Sequence, residues 1–171
     1  EEIFRPYFKM ENVLDGAFAL ANKLYGITFT ERNDLQVYHP EVKVYEVKEA
    51  DGKHIGIFYT DYFPRESKGS GAWCSDFKVQ SNIKNDFVFP IVINVGNFTK
   101  PIGDKPSLLS FSDVSTLFHE FGHALRSLLQ KVDYPYSSKV TRDFVELPSQ
   151  IMENWAFEPE VLKLYAKHYQ T

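Results

Sequence analysis

Residues 111–130 read FSDVSTLFHEFGHALRSLLQ, with His119-Glu120-Phe121-Gly122-His123 at their centre. At about 100° per residue, Val114, Leu117, Phe118, Phe121, Leu125, Leu128 and Leu129 fall in one arc of a helix. His119 and His123 fall on the opposite side with Thr116, Arg126 and Gln130, and Glu120 lies roughly a quarter turn away. The spacing predicts an amphipathic helix whose histidines stay off the packing face. Ser110, Ser112 and Asp113 supply an N-terminal capping cluster. Side chains four apart stack on one helix face. One rigid element thus offers two imidazoles to a metal ion, with a glutamate between them able to take a proton from water. The same spacing also fits a surface helix with two solvated histidines.

The remaining composition narrows the setting. A chain of 171 residues with 43% apolar content is long enough for one domain with a core. Fifteen Phe and ten Tyr point to a bulky core or an aromatic-walled cleft. A net charge of −4 argues against nucleic acid or an anionic membrane surface as partner. The single cysteine, Cys74, excludes an internal disulfide, fits a reducing compartment, and beside Trp73 reads as a small buried residue. No apolar run approaches membrane-span length and no signal peptide is visible. The start at Glu1 and the stop inside a helical pattern suggest a piece of a longer protein.

Upstream of the histidine helix the pattern mixes helix and strand. Asn12 is placed to cap a helix carrying Val13, Ala17, Leu20, Ala21 and Leu24, which Gly26 ends. Residues 27–38 read as an extended or irregular connector. Residues 42–48 and 54–63 read as two strands joined through Asp51-Gly52, a strong hairpin signal. His39 reads as structural and His54 as a cross-strand partner. Lys68-Gly69-Ser70-Gly71 lacks the full phosphate-loop pattern, so it is either a flexible turn or a mobile loop at a cleft rim. Residues 87–98 read as a second β segment. Pro90 argues that its first part lies at a sheet edge or bulge, and an edge strand there could take an extended peptide as an added strand along Ile91 to Val95.

Downstream, residues 131–141 form a polar loop, and residues 142–155 predict a second helix that Asp143 caps and Pro148 bends. Residues 159–169 predict a third, opening on Pro159. A hydrolytic zinc site takes three protein ligands and leaves one position for water. The candidates for the third are few. His168 lies at a chain end, and Asp133 is in a loop close in sequence to the histidines. Glu146 opens the next helix, where it also suits the helix dipole. Glu153 shares its face two turns on, as a hydrogen-bond acceptor for a histidine or as a solvated acid.

HEFGHAL followed by RDFVELPSQIMENW resembles the thimet oligopeptidase (M3) family of zinc metallopeptidases. FRPYF, VYHPEVKVYEV, GAW and NFTKP with KPSLL are most similar to its bacterial peptidyl-dipeptidases, so the resemblance runs end to end. It implies an α+β, zincin-like fold, a small antiparallel or mixed sheet beside the histidine helix and a second ligand-bearing helix. It implies one Zn2+ per chain held by His119, His123 and Glu146, with Glu120 as general base and Glu153 near the metal. Residues 1–171 then form the central catalytic portion of a larger, monomeric, cytoplasmic enzyme. That enzyme hydrolyses short peptides and releases C-terminal dipeptides. The alternatives are an endo-acting oligopeptidase of the same family and a non-catalytic zinc-binding fragment. The sequence departs from the family pattern at Arg126, where a histidine is common, and at Ser137-Ser138-Lys139 in a shortened loop. The family's large N-terminal helical part and its downstream tyrosine-rich, substrate-binding segment have no counterpart here.

Overall fold

The computed structural model describes residues 2–171 as a mixed α+β unit. The chain opens with a short 3-10 turn, Glu2–Tyr7, then helix α1, Met10–Tyr25. Lys9 in extended conformation precedes α1, with no side-chain cap, so the helix starts before the expected Asn12. Gly26 ends it as expected, at φ 71°, a left-handed conformation that favours glycine.

Seven strands follow: β1 (Thr28–Glu31), β2 (Lys43–Lys48), β3 (His54–Asp61), β4 (Trp73–Lys78), β5 (Ser81–Ile83), β6 (Asp86–Val88) and β7 (Ile91–Val95). Five form one sheet in the order β1-β2-β3-β7-β4, and β5 pairs with β6 in a small separate ribbon. β1 lies inside the stretch read as a connector. The β2–β3 hairpin forms through Asp51-Gly52, with Gly52 at φ 86° and Asp51 Oδ1 accepting from the Lys53 amide at 2.9 Å. His54 meets Glu46 of the neighbouring strand at 3.0 Å, the expected cross-strand role.

The edge assignment of residues 91–95 is overturned. β7 lies between β3, to which it is parallel, and β4, to which it is antiparallel. Pro90 precedes the strand, so its missing N–H falls outside the ladder. Its carbonyl instead accepts from the Ile57 amide at 3.0 Å. The unbroken apolar run Ile91-Val92-Ile93 suits a strand covered by neighbours on both sides. The free edge nearest the histidines is β4, which the sequence reading left unassigned.

Helix α2, Phe111–Leu129, packs its apolar stripe on the sheet. Val114, Leu117, Phe118, Phe121 and Leu128 are fully buried, as the periodicity required. Phe121 meets Phe58 of β3 at a ring separation of 5.8 Å, and Phe18 stacks on Phe29 at 4.1 Å in the same cluster. Such pairs add about 0.5–1.5 kcal/mol each beyond the area they bury. Part of the aromatic excess is therefore core, while Tyr38, Trp73, Phe77 and other rings stand exposed. Helix α3, Leu147–Ala156, lies across α2, and α4, Pro159–Tyr165, packs on α1. α3 starts at Leu147, so Pro148 occupies its first turn and causes no bend, because the first amides of a helix have no partner anyway. Asp143 lies outside it in a turn, and Glu146 stands at the cap position. α4 ends at Tyr165, short of Tyr169, whose amide returns to the Pro6 carbonyl at 3.0 Å.

Candidate metal centre

The site begins with the start of α2. Ser110 Oγ accepts from the Asp113 amide at 3.1 Å, and Asp113 Oδ2 accepts from the Ser110 amide at 2.8 Å. This capping box fixes where the helix begins and so where its turns fall. His119 and His123 project from the side away from the apolar stripe, both partly exposed. Glu120 is 9% exposed, between them and the sheet. On its sheet side, Asn94 Nδ2 of β7 donates to the Glu120 main-chain carbonyl at 2.8 Å.

The partner surface comes from α3. A Cβ on Gly122 would lie 2.6 Å from the Pro148 carbonyl oxygen and 2.6 Å from Ser149 Cα. Real side chains never come that close, so glycine alone lets α3 lie this near α2. That approach carries Glu146 over the histidines. Its Oε2 lies 3.2 Å from His119 Nε2 and 3.2 Å from His123 Nε2. Ser149, one turn into α3, donates to the same carboxylate oxygen at 3.0 Å and to the Glu146 carbonyl at 2.8 Å. Glu153, two turns along, meets His119 Nδ1 at 2.5 Å, and Ser115 Oγ donates to its other oxygen at 3.3 Å. A carboxylate on Nδ1 assigns the proton there and leaves the Nε2 lone pair facing Glu146.

One donor atom each from His119, His123 and Glu146 lies within 4.8 Å of the others. The electrostatics suit a cation. Burial lowers the His123 pKa, which favours the neutral, ligating imidazole. The Ser149 hydrogen bond, with help from both imidazoles, holds Glu146 below the usual carboxylate range. Burial, and secondarily Glu146, raises Glu120, while His119 opposes. Two imidazole nitrogens, one carboxylate oxygen and a carboxylate-oriented histidine make a donor set that fits zinc.

The trio opens into a cavity of about 420 Å³, whose opposite wall is the free edge of β4 from Trp73 to Asp76. A second hollow of about 230 Å³ adjoins it at His119, bounded by Ala72, Ser115, Thr116 and Glu153. Cys74 faces the first cavity with its thiol pKa pushed up by burial, so it is not poised as a nucleophile. His39, His54 and His168 make local contacts elsewhere.

The Lys68-Gly69-Ser70-Gly71 loop runs into β4 at the rim, as one of its two readings held, but it is fastened. Lys68 Nζ donates to the carbonyls of Asp61, Phe63 and Gly96 at 2.7–2.8 Å. Asn97 Nδ2 donates to the Gly69 and Gly71 carbonyls. The sequence reading missed Gly122, Ser115 and Ser149. Gly122 was visible inside the motif, but its role depends on a neighbour from another helix.

Comparison with known proteins gives an end-to-end match. The model of peptidase family M3 matches residues 1–171. The dipeptidyl carboxypeptidase of Escherichia coli (strain K12) is 46% identical over 174 residues, covering 100% of this chain and 25% of the relative. Oligopeptidase A of the same organism is 39% identical over 175 residues, covering 100% and 26%. An organellar oligopeptidase A of Arabidopsis thaliana is 43% identical over 180 residues, covering 100% and 23%. The chain spans about a quarter of the length of these relatives.

Proposed function

This chain belongs to peptidase family M3, and we propose that residues 1–171 are the central zinc-binding catalytic portion, zincin-like in fold, of a larger peptidase. The observation that carries the reading is the convergence of His119, His123 and Glu146 within 4.8 Å, with Glu120 beside them. Those three residues would hold one Zn2+. Zinc bound there supplies a Lewis acid that lowers the pKa of a water and polarises the scissile carbonyl. Glu120 takes the proton the water loses on attack and passes it to the departing amine. Its upward-shifted pKa moves it toward the range in which one carboxyl can both accept and return a proton. Glu153 holds the His119 tautomer and ring orientation, and Ser149 holds Glu146. The substrate is a short peptide lying along the free edge of β4, the cavity wall opposite the histidines, and pairing with it as an added strand.

Release of C-terminal dipeptides is the preferred specificity, supported by 46% identity to a dipeptidyl carboxypeptidase. Internal cleavage is the second reading, supported by the oligopeptidase A relatives. Metal analysis and peptide hydrolysis with the intact polypeptide test the proposal. Glu120→Gln should keep one zinc per chain and lose about 10²–10⁴-fold in rate; full activity in that variant refutes the assignment. Two-residue products from a peptide with a free C-terminus mark dipeptide release. Cleavage inside a peptide blocked at both ends marks the second specificity. Stoichiometric zinc without hydrolysis marks a non-catalytic centre.

A further inference from the structure

β4 is flanked by a hollow on each face of the sheet. On the α2 face lies the metal cavity, toward which Cys74 and Asp76 contribute. On the other face Trp73 and Ser75 project, in register with Val95 and Ile93 of β7, beyond which lie Asp61 and Tyr59 of β3, and Phe77, at the irregularity between Asp76 and Lys78, joins them. There a second hollow of about 550 Å³ opens, walled by Tyr38, Trp73 and Phe77 and floored by Ile93 and Val95. Trp73 and Ser75 line both hollows, since the edge backbone is the ridge between them.

A peptide paired to that ridge presents successive side chains to opposite faces. Residues directed to the α2 face enter the metal cavity, and their neighbours meet the outer hollow. We propose that the outer hollow is a substrate subsite, selective for an uncharged aromatic or large apolar side chain one position out of phase with those in the metal cavity. This rests on the peptidase reading above.

The chemistry of the walls sets the class. Three aromatic rings stand exposed there: Tyr38 at 53%, Phe77 at 58% and Trp73 at 36%. Tyr38 and Tyr59 each meet Phe77 edge-to-face, at 6.5 and 5.8 Å, so the wall is braced. The charges at the far end are spent on one another. Arg65 donates to both Asp61 oxygens at 2.8 Å, Lys68 pairs with Asp61 at 2.9 Å, and Tyr38 donates to Asp61 at 2.6 Å. Among the described residues, each charged group lining the hollow is hydrogen-bonded into that cluster, while exposed aromatic faces reward an apolar side chain.

The test uses the intact polypeptide and hexapeptides of alanine, each made with a free and with a blocked C-terminus, with one phenylalanine, or one glutamate, moved along the chain. Binding is measured calorimetrically to the Glu120→Gln protein, and hydrolysis with the wild type. Phenylalanine should strengthen binding at alternate positions. Phe77→Ala should weaken the favoured phenylalanine peptide about tenfold and leave the all-alanine peptide unchanged. Uniform weakening of both peptides, a preference for glutamate, or indifference to phenylalanine would overturn the subsite even if hydrolysis is robust. If the wild type hydrolyses none of the peptides, the peptidase reading fails, and binding to the Glu120→Gln protein still decides the subsite.

Discussion

Asp61 and Glu146 are both carboxylates at the end of a regular element, and their surroundings are opposite. Asp61 closes β3, with its side chain 2% exposed and bonded to Arg65, Lys68 and Tyr38. Two cations stand against one acid there. Glu146 opens α3, 48% exposed, and faces two imidazoles without any Lys or Arg partner. With Glu120 and Glu153 it makes three carboxylates about two histidines. The first cluster binds its one buried carboxylate to two cations and works as a fastener, holding the loop that leads to β4. The second carries an uncompensated negative balance, the condition under which a divalent cation adds most. Residue types alone do not separate a structural cluster from a functional one; burial of the carboxylate and the permanent charge of its partners do.

The largest expected effect breaks the fastener. Asp61→Asn strands the Lys68 ammonium, itself 2% exposed, and should cost about 3–5 kcal/mol in chemical denaturation. A cost below about 1 kcal/mol would show that Asp61 does not hold the cluster together. Acid should open it more gently. Burial raises the Asp61 pKa, but hydrogen bonds from Arg65, Lys68 and Tyr38 outweigh it and bring the carboxyl to about 2, from 3.8. A folded pKa below the unfolded one means the stabilisation is whole above about pH 4 and disappears as pH falls toward 2. The loss is roughly 2 kcal/mol. Unfolding free energies across that window should show the slope, and a flat profile would contradict it.

Gly122→Ala should act on the helix pair. Overpacking costs typically 1–3 kcal/mol, offset by about 1 kcal/mol of better helix propensity. Stability should drop by only about 1 kcal/mol while zinc affinity, read by competition with a chelator, falls more than tenfold. Equal affinity would mean that the helix approach does not set the third ligand. The smallest effect belongs to Glu146→Ala in metal-free protein, within about 0.5 kcal/mol of wild type. A large loss there would make Glu146 a fastener like Asp61.

The helical period made α2 legible, because Phe121 and Leu125 on one side and His119 and His123 on the other leave one packing solution. Gly26 and Asp51-Gly52 were legible because each demands a particular backbone. β4 was not: Trp73 to Lys78 alternates two aromatics and a serine with a cysteine and an acid, which is not the apolar/polar pattern of a half-buried strand. Pro90 misled because a proline before a strand and one inside it look alike in sequence. The proposed third ligand, Glu146, was legible only as one acid among several, until RDFVELPSQIMENW was matched as a unit. What narrows the choice physically is Gly122 against Pro148 and Ser149, a contact between segments far apart in the chain.

Glu146 is both a member of the candidate metal trio and the cap position of α3. At ten residues, α3 is shorter than the roughly 12–15 a helix needs to persist alone in water. Its first turn must be held from outside while the rest propagates. A cation bound by His119, His123 and Glu146 would therefore hold the start of α3 against α2. Folding in the presence of zinc should then accelerate the docking of α3, leaving the formation of the five-stranded sheet at its own pace.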